Sequence, residues 1–210
     1  LARYCLDFAL DKVPAEVKRK AALCILDTVG CMIAGSSNRV GKIVTAYALE
    51  WGKPGPCTVF GRGSGVDLES AALANGTLGH LMELDDGHRP SDNHLGCVVV
   101  SSAIAAAEHA GATGADLLRA VIAGYDVMGR AGHAVCLPRR DAPFHGTGTT
   151  GGFGAAATAC SRALDAMYRK LRDHHHAYVR PNATDYRLLN RLYALHYLFP
   201  FVILGLVILH

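Results

Sequence analysis

Apolar residues recur at helical spacing along the first three quarters of the chain, and small residues accompany them throughout. The stretch VPAEVKRKAALCILDTVGCMIAGS has Pro14 at a position that a first helical turn tolerates, and Gly35 where a helix stops. The second half of this stretch is almost continuously apolar, which predicts burial on most sides. The apolar residues are Val17, Leu23, Ile25, Leu26, Val29 and Ile33.

The same spacing predicts five further helices. They lie in VGKIVTAYALEWG, in DLESAALANGTLGHLMEL, in LGCVVVSSAIAAAEHAG, in GADLLRAVIAGYDVMGRAGHAV and in GGFGAAATACSRAL. Gly52 ends the first of these, and Asp67 is a typical N-cap for the second. CTVF, from Cys57 to Phe60, is the one strand candidate, so we expect one short strand at most. The chain is therefore predicted to be all-α, an Ala- and Gly-rich helical bundle over residues 1–164.

The composition changes abruptly in residues 165–210. Of the 23 glycines, only Gly205 lies there. The segment RKLRDHHHAYVRPNATDYR is polar and basic, whereas LYALHYLFPFVILGLVIL is almost wholly apolar. The apolar run is near the lower length limit of a transmembrane helix, but His196 and Pro200 interrupt it. We expect an atypical, frameshifted or non-native tail, with a membrane anchor as the alternative.

Composition and charge exclude several classes of protein. A net charge of +3 without a basic stripe argues against binding of nucleic acid. Seven cysteines without a C-x-x-C pair form neither a disulfide framework nor a zinc motif, and they indicate a reducing compartment. The first residues, LARYCLDFALDK, lack a basic segment before an apolar core, so that we expect no signal peptide and a cytoplasmic location. Cysteines predicted to lie in the core are Cys24, Cys31, Cys97, Cys136 and Cys160.

Titratable groups are concentrated in HLMELDDGHRPSDNH, residues 80–94. A solvated acidic loop is the simplest interpretation, and a metal site is a second, although the spacing matches neither a Ca²⁺ loop nor H-E-x-x-H. A third is acid–base chemistry, because a carboxylate beside an imidazole raises its pKa, whereas burial lowers it. His80 and His109 lie inside helical patterns and are interpreted as structural. Candidate metal donors in this run are Glu83, Asp85, Asp86, His88, Asp92 and His94.

The sequence GTGTTG, residues 146–151, matches G-x-G-x-x-G literally. A dinucleotide-binding motif requires a strand before it, and the preceding PRRDAPFH is not one. A phosphate loop is excluded because no Gly-Lys-Ser/Thr follows. We therefore predict a flexible, glycine-rich entry to a helix. Backbone N–H groups at such a helix start are able to hold a carboxylate.

Four stretches, in order along the chain, resemble signatures of the MmgE/PrpD family. They are LDTVGCMIAGS, AALANGTLGHLMELDDGHR, NHLGCVVVSSAIAAAEHAGATGADLLRAVIAGYDVMGRAG and FHGTGTTGGFGAAATA. The family includes 2-methylcitrate dehydratase, cis-aconitate decarboxylase and an iminodisuccinate epimerase. The resemblance implies a homodimeric, cofactor-independent lyase or isomerase that moves a proton beside a carboxylate of a small polycarboxylate.

The resemblance also implies which residues form the site. His94 and His145 match the two active-site histidines of the family, and Asp85 and Asp86 match its Asp-Asp pair. We expect His94 and His145 to transfer protons, with Asp85 or Asp86 orienting one imidazole. No metal and no cofactor are expected. Expected substrate-binding residues are Glu83, His88, Arg89 and Thr147.

The family pattern also contains features that differ from this chain. Glu83 stands where the cis-aconitate decarboxylases have a catalytic Asp, and HLG stands where a Pro commonly follows the histidine. Family members have a second, lid-like domain that supplies lysines and a tyrosine, and nothing after Leu164 resembles it. Two alternatives therefore accompany the enzyme hypothesis: a catalytically inactive fragment that at most dimerises, and a membrane-tethered helical protein.

Overall fold

A computed structural model describes residues 2–135 and 145–159, and in these ranges the fold is helical. The predicted all-α class is confirmed. The predicted tail, residues 165–210, lies outside the described residues, as do Cys136 and Cys160. The helices are α1 (Ala2–Asp7), α2 (Ala15–Ser36), α3 (Arg39–Trp51), α4 (Leu68–His80), α5 (Gly96–Ala110), α6 (Gly114–Val135) and α7 (Gly146–Ala159), with short 3-10 turns at Leu10–Lys12 and Arg89–Ser91.

The helix ends follow from caps that are visible in the sequence. The Asp67 carboxylate accepts a hydrogen bond from the Ser70 N–H at 3.0 Å and so caps the start of α4. Asn38 caps α3 in the same way, with the Val40 N–H as donor. Gly52 follows α3 as predicted, and Gly111 ends α5 in a left-handed conformation with φ 61°.

A two-stranded hairpin interrupts the helices between α3 and α4. Strand β1 (Pro54–Val59) pairs antiparallel with strand β2 (Gly63–Val66), so the expectation of one strand at most is wrong. Strand β2 lacks the alternation of branched side chains by which strands are recognised. Its residues Gly63 and Gly65 have φ of 115° and 120°, which glycine adopts without strain.

Helix α4 lies between α2, α3 and α5 and forms the centre of the core. Its buried side chains are small, apart from Leu78, and they pack against Met32 of α2 and the valines of α5. Gly35 lies in the last turn of α2, where a Cβ atom would collide with the backbone carbonyl of Leu78. The two helix backbones therefore approach each other closely because Gly35 has no side chain.

The outer face of α2 is exposed, so the expectation that its second half is buried on most sides is wrong. Leu23, Leu26 and Ile33 are 49%, 68% and 54% exposed. Helix α2 contacts α4, α5 and α6 through its other face, which carries the buried Thr28 and Met32. Within the described ranges no element covers the outer face.

Two further expectations concern cysteines and membranes. Cys31 and Cys97 are buried as predicted, and Cys24 is half-buried. No single helix in the described ranges has both the length and the apolar composition to cross a membrane, whereas α2 and α3 meet those criteria as a pair bent by 95°. The apolar run 192–209 lies outside the described residues.

The close contact between α2 and α4 gives a stability prediction. Gly35→Ala is expected to lower the free energy of unfolding by about 1–3 kcal/mol, because the added methyl group overpacks the crossing against backbone. Urea unfolding followed by circular dichroism measures this change.

Gly30→Ala is the matched control on the same helix. A Cβ atom at Gly30 meets no atom of the described residues within 4 Å, so alanine is expected to raise stability by up to about 1 kcal/mol through helix propensity. Equal stability of the two variants would contradict the proposed close crossing.

Candidate active site

Three imidazoles from different elements lie side by side, and we call His80, His94 and His145 the histidine cluster. His80 is the last residue of α4, His94 lies just before α5, and His145 immediately precedes α7. The ring centroids of His80 and His94 are 4.7 Å apart in an edge-to-face arrangement, and those of His80 and His145 are 6.3 Å apart. The structure thus brings together the two histidines predicted as the proton-transfer pair and adds a third.

A buried carboxylate connects two members of the histidine cluster. The Asp85 side chain is fully buried, and its two oxygens lie 3.1 and 3.2 Å from Nδ1 of His80. Nδ1 of His94 lies 3.4 Å from Oδ1 of Asp85 but is buried without a hydrogen-bond partner among the described residues. Asp85 is therefore shared unequally, with His80 bound and His94 only close enough for electrostatic attraction.

The charges in this arrangement support one another. Burial acts to raise the pKa of Asp85, but the hydrogen bond and positive charge of His80 outweigh it and hold that pKa below its ordinary value. The hydrogen bond to Asp85 in turn raises the pKa of His80. Nε2 of His80 lies 3.3 Å from the exposed Glu83 carboxylate, so both ring nitrogens face a negative charge. These contacts favour the imidazolium form of His80.

His145 differs from His80 in its protonation. Burial lowers the pKa of His145, and the neighbouring His80 and His94 lower it further. A neutral imidazole at physiological pH is able to accept a proton. The cluster thus combines a histidine that favours the charged form with one that favours the neutral form.

Asp86 and Thr147 position the backbone around His94. The Asp86 carboxylate accepts hydrogen bonds from the Gly96 N–H at 2.7 Å and the Tyr125 hydroxyl at 2.9 Å. The hydroxyl oxygen of Thr147 is buried and accepts the His94 N–H at 2.9 Å. Of the Asp-Asp pair, it is therefore Asp85 that lies at the imidazoles. The Gly96 amide at the start of α5 is occupied by Asp86.

The remaining predicted residues lie at different distances from the histidine cluster. Glu83 contacts the histidine cluster at Nε2 of His80, whereas Arg89 is exposed at the start of a 3-10 turn. His88 lies with Nδ1 2.7 Å from the Ser91 hydroxyl and lines a cavity of about 970 Å³ between α1, α2 and α6. The described lining of that cavity contains no member of the cluster. The structure does not bring His88 to the cluster.

The sequence GTGTTG forms the first turns of α7, so the prediction of a flexible entry is wrong. Its threonines are used in tertiary contacts: Thr147 holds His94, and Thr150 accepts a hydrogen bond from the Asn93 amide at 2.9 Å. The first-turn amides of α7 have no acceptor within the helix, and the positive end of the helix dipole lies beside His145. This end of α7 is suited to a carboxylate.

Sequence reasoning missed His80, which was interpreted as structural. His80 does lie in a helix, since it is the last residue of α4. The acidic loop begins directly after this helix end, so the imidazole of His80 lies next to carboxylates. Asn93, buried between the loop and α7, was missed as well. Only its place next to His94 could have indicated a role in holding the loop.

A metal ion is a further possibility that the donor chemistry can test. Among the described residues, donor atoms of His80, Asp85 and Cys97 lie within 4.8 Å of one another. Burial raises the pKa of the Cys97 thiol well above its ordinary value, and the Asp85 carboxylate raises it further. Metals bind the thiolate, so an ion at this position would have to displace the Cys97 proton.

Comparisons with known proteins were made for the whole chain. A family model described as the MmgE/PrpD N-terminal domain matches residues 1–173. The chain is 28% identical to a cis-aconitate decarboxylase of Aspergillus terreus over 140 residues, which are 64% of this chain and 29% of that protein. It is 28% identical to the cis-aconitate decarboxylase-like protein oryM of Aspergillus oryzae over 175 residues, 78% of this chain and 36% of that protein. The chain thus spans about a third of the length of these relatives.

Replacing the shared carboxylate is expected to change the pH dependence of stability. Asp85→Asn should lower the free energy of unfolding by about 2 kcal/mol, with the largest loss between about pH 4 and pH 6.5. Folding lowers the pKa of Asp85, so this group contributes stability at pH values above the pKa that it has in the unfolded chain. Folding raises the pKa of His80, so this group contributes stability at pH values below the pKa that it has in the unfolded chain. The loss should therefore shrink as the pH rises through the folded pKa of His80. Urea unfolding at a series of pH values measures it.

Asp116→Asn is the matched control for this pH dependence. Hydrogen bonds from Thr113 and the charge of Arg119 lower the pKa of Asp116, and no histidine takes part. Its stability loss should stay constant between about pH 5 and pH 8. If Asp85→Asn behaves like this control, the ion pair between His80 and Asp85 does not form.

Proposed function

The chain belongs to the MmgE/PrpD family, and we propose that its histidine cluster serves a cofactor-independent lyase or isomerase acting on a small polycarboxylate. The reaction is proton transfer at the carbon beside a carboxylate. One observation carries the proposal: a fully buried Asp85 carboxylate lies between two imidazoles, with a third imidazole alongside. The names of the relatives favour a reaction of the decarboxylase type.

The chemistry requires a base and an acid near neutral pH. Removing a proton beside a carboxylate needs a base of near-neutral pKa, and a second group must protonate the leaving group or the opposite face. His94 and His145 are proposed for these two roles. The lowered pKa of His145 favours its neutral form, and Nδ1 of His94 lies 3.4 Å from Oδ1 of Asp85.

Negative charge develops on the substrate as the proton leaves, or as CO₂ leaves when the reaction is a decarboxylation. The enediolate that forms would be stabilised by N–H groups aimed at its oxygens. The start of α7, directly after His145, supplies such groups, with Thr147 holding His94 beside them. The exposed Arg89 and Glu83 are proposed to contact more distant parts of the substrate, the former by pairing with a second carboxylate.

Substitution of either proposed proton-transfer residue tests this function. His94→Gln and His145→Gln are each expected to lower turnover at least about 10²-fold, the lower range for a lost general acid or base. Turnover is measured on methylcitrate, cis-aconitate and iminodisuccinate, and circular dichroism checks the fold. His109→Gln is the control, because His109 lies at the exposed far end of α5 and should leave turnover unchanged.

Three outcomes contradict the proposal. Near-wild-type turnover in both variants would show that the proton chemistry lies elsewhere. No turnover of any of the three substrates, while a full-length relative turns them over, would favour the catalytically inactive fragment. Activity that depends on detergent would favour the membrane-tethered protein.

The homodimer expected from the resemblance is part of the same proposal. The exposed apolar side chains of α2, Leu23, Leu26 and Ile33, offer a face that a second copy would cover. Leu26→Glu is therefore expected to shift a dimer towards monomer in sedimentation velocity, with an unchanged circular dichroism spectrum. Glu69→Lys, at an exposed position of α4, is the control. A wild-type chain that sediments as a monomer contradicts the dimer.

A further inference from the structure

His80 is the member of the histidine cluster for which the proposed chemistry has no role. Its Nδ1 is bound by both oxygens of Asp85 at 3.1 and 3.2 Å, and its Nε2 lies 3.3 Å from Glu83. Only the imidazolium carries a proton on both nitrogens. A ring with a carboxylate at each nitrogen is therefore held as a cation.

Asp85 has a second imidazole within reach but does not bind it. Nδ1 of His94 lies 3.4 Å from the same Oδ1 that His80 contacts, and this nitrogen is buried without a hydrogen-bond partner among the described residues. A carboxylate that is already neutralised attracts a second cation less strongly. The ring of His80, 4.7 Å from that of His94, also repels a positive charge there.

We propose that His80 is a positioning residue: as a fixed cation it neutralises Asp85 and so keeps the nearby His94 imidazole neutral and able to accept a proton. This inference rests on the proposed function, in which His94 belongs to the proton-transfer pair. His80 itself does not touch the substrate in this scheme. It decides the protonation of a neighbour through the carboxylate that they share.

The other titratable groups around the cluster do not supply this cation. Glu83 and Asp85, the loop residues that form ion pairs with His80, are carboxylates, and the thiols of α2 and α5 are kept protonated by burial. His88 of the same loop contacts Ser91 and lines the separate cavity, and Arg89 is exposed. His145 is disfavoured as a cation by burial and by its two histidine neighbours. The groups considered, besides His80, Asp85 and His94, are Glu83 and Asp92 of the loop, His145 before α7, Cys31 of α2 and Cys97 of α5.

Nuclear magnetic resonance of ¹⁵N-labelled histidine tests the proposal without any need for turnover. As the pH is raised, His80 should keep protons on both nitrogens to a higher pH in the wild-type chain than in Asp85→Asn, because the carboxylate favours the imidazolium. His94 should keep its second proton to a higher pH in His80→Gln than in the wild type, because Asp85 is then not neutralised.

Kinetics provide the second readout if the chain is active. His80→Gln should move the acidic limb of the kcat/KM profile to higher pH by at least about one unit, because a base beside an unneutralised carboxylate holds its proton more tightly. His80→Lys restores a positive charge and should return the acidic limb of the kcat/KM profile to its wild-type pH. A purely structural role would lower kcat/KM equally at all pH values. His109→Gln again serves as the control.

The outcomes separate this inference from the proposed function. A wild-type chain without turnover on any of the three substrates contradicts the function, and the resonances of His80 and His94 still decide the inference. An equal titration midpoint of His80 in the wild type and in Asp85→Asn, or of His94 in the wild type and in His80→Gln, overturns the inference. If the circular dichroism of His80→Gln shows a loss of helix, the inference is tested instead with His80→Lys and with the histidine resonances of the wild-type chain.

Discussion

The close approach of α4 and α5 is the constraint on which the candidate site depends. Gly76 and Gly79 of α4 face Cys97 and Ser101 of α5, and a Cβ atom at Gly76 would lie only 3.2 Å from the Cys97 carbonyl oxygen. Because the two helices pack through these small residues, the end of α4 lies beside the start of α5. The rings of His80 and His94 therefore meet, although the whole acidic loop separates them in sequence.

A buried charge accompanies this packing. An uncompensated carboxylate in an interior costs several kcal/mol, so Asp85 is tolerated because His80 neutralises it. Two further hydrogen bonds hold the loop that carries Asp85. The Asp86 carboxylate accepts one from the Gly96 N–H at the start of α5, and the Asn93 amide donates one to Thr150 of α7. The protonation of the cluster is thus coupled to the packing of three helices.

The site changes from buried to exposed over a short distance. Asp85 has no exposed side-chain area, the rings of His80 and His94 are about a third exposed, and Glu83 is largely in solvent. The carboxylate that sets the charges is shielded from water, which strengthens its effect, while the imidazoles remain accessible to a small molecule. This division suits proton transfer to a substrate that arrives from outside the helical bundle.

The sequence by itself determined the helical class, the caps at Asp67 and Gly52, and the membership of a family through ordered motifs, because these depend on neighbouring residues. It identified His94, His145 and Asp85 as candidates but could not separate Asp85 from Asp86. Their side chains point to different partners, an imidazole for one and the α5 amide for the other, and only the path of the loop decides this. The same holds for His80 and for the exposed face of α2. Helical spacing indicates which residues share a face, whereas the neighbours of that face are set by contacts between elements far apart in the chain.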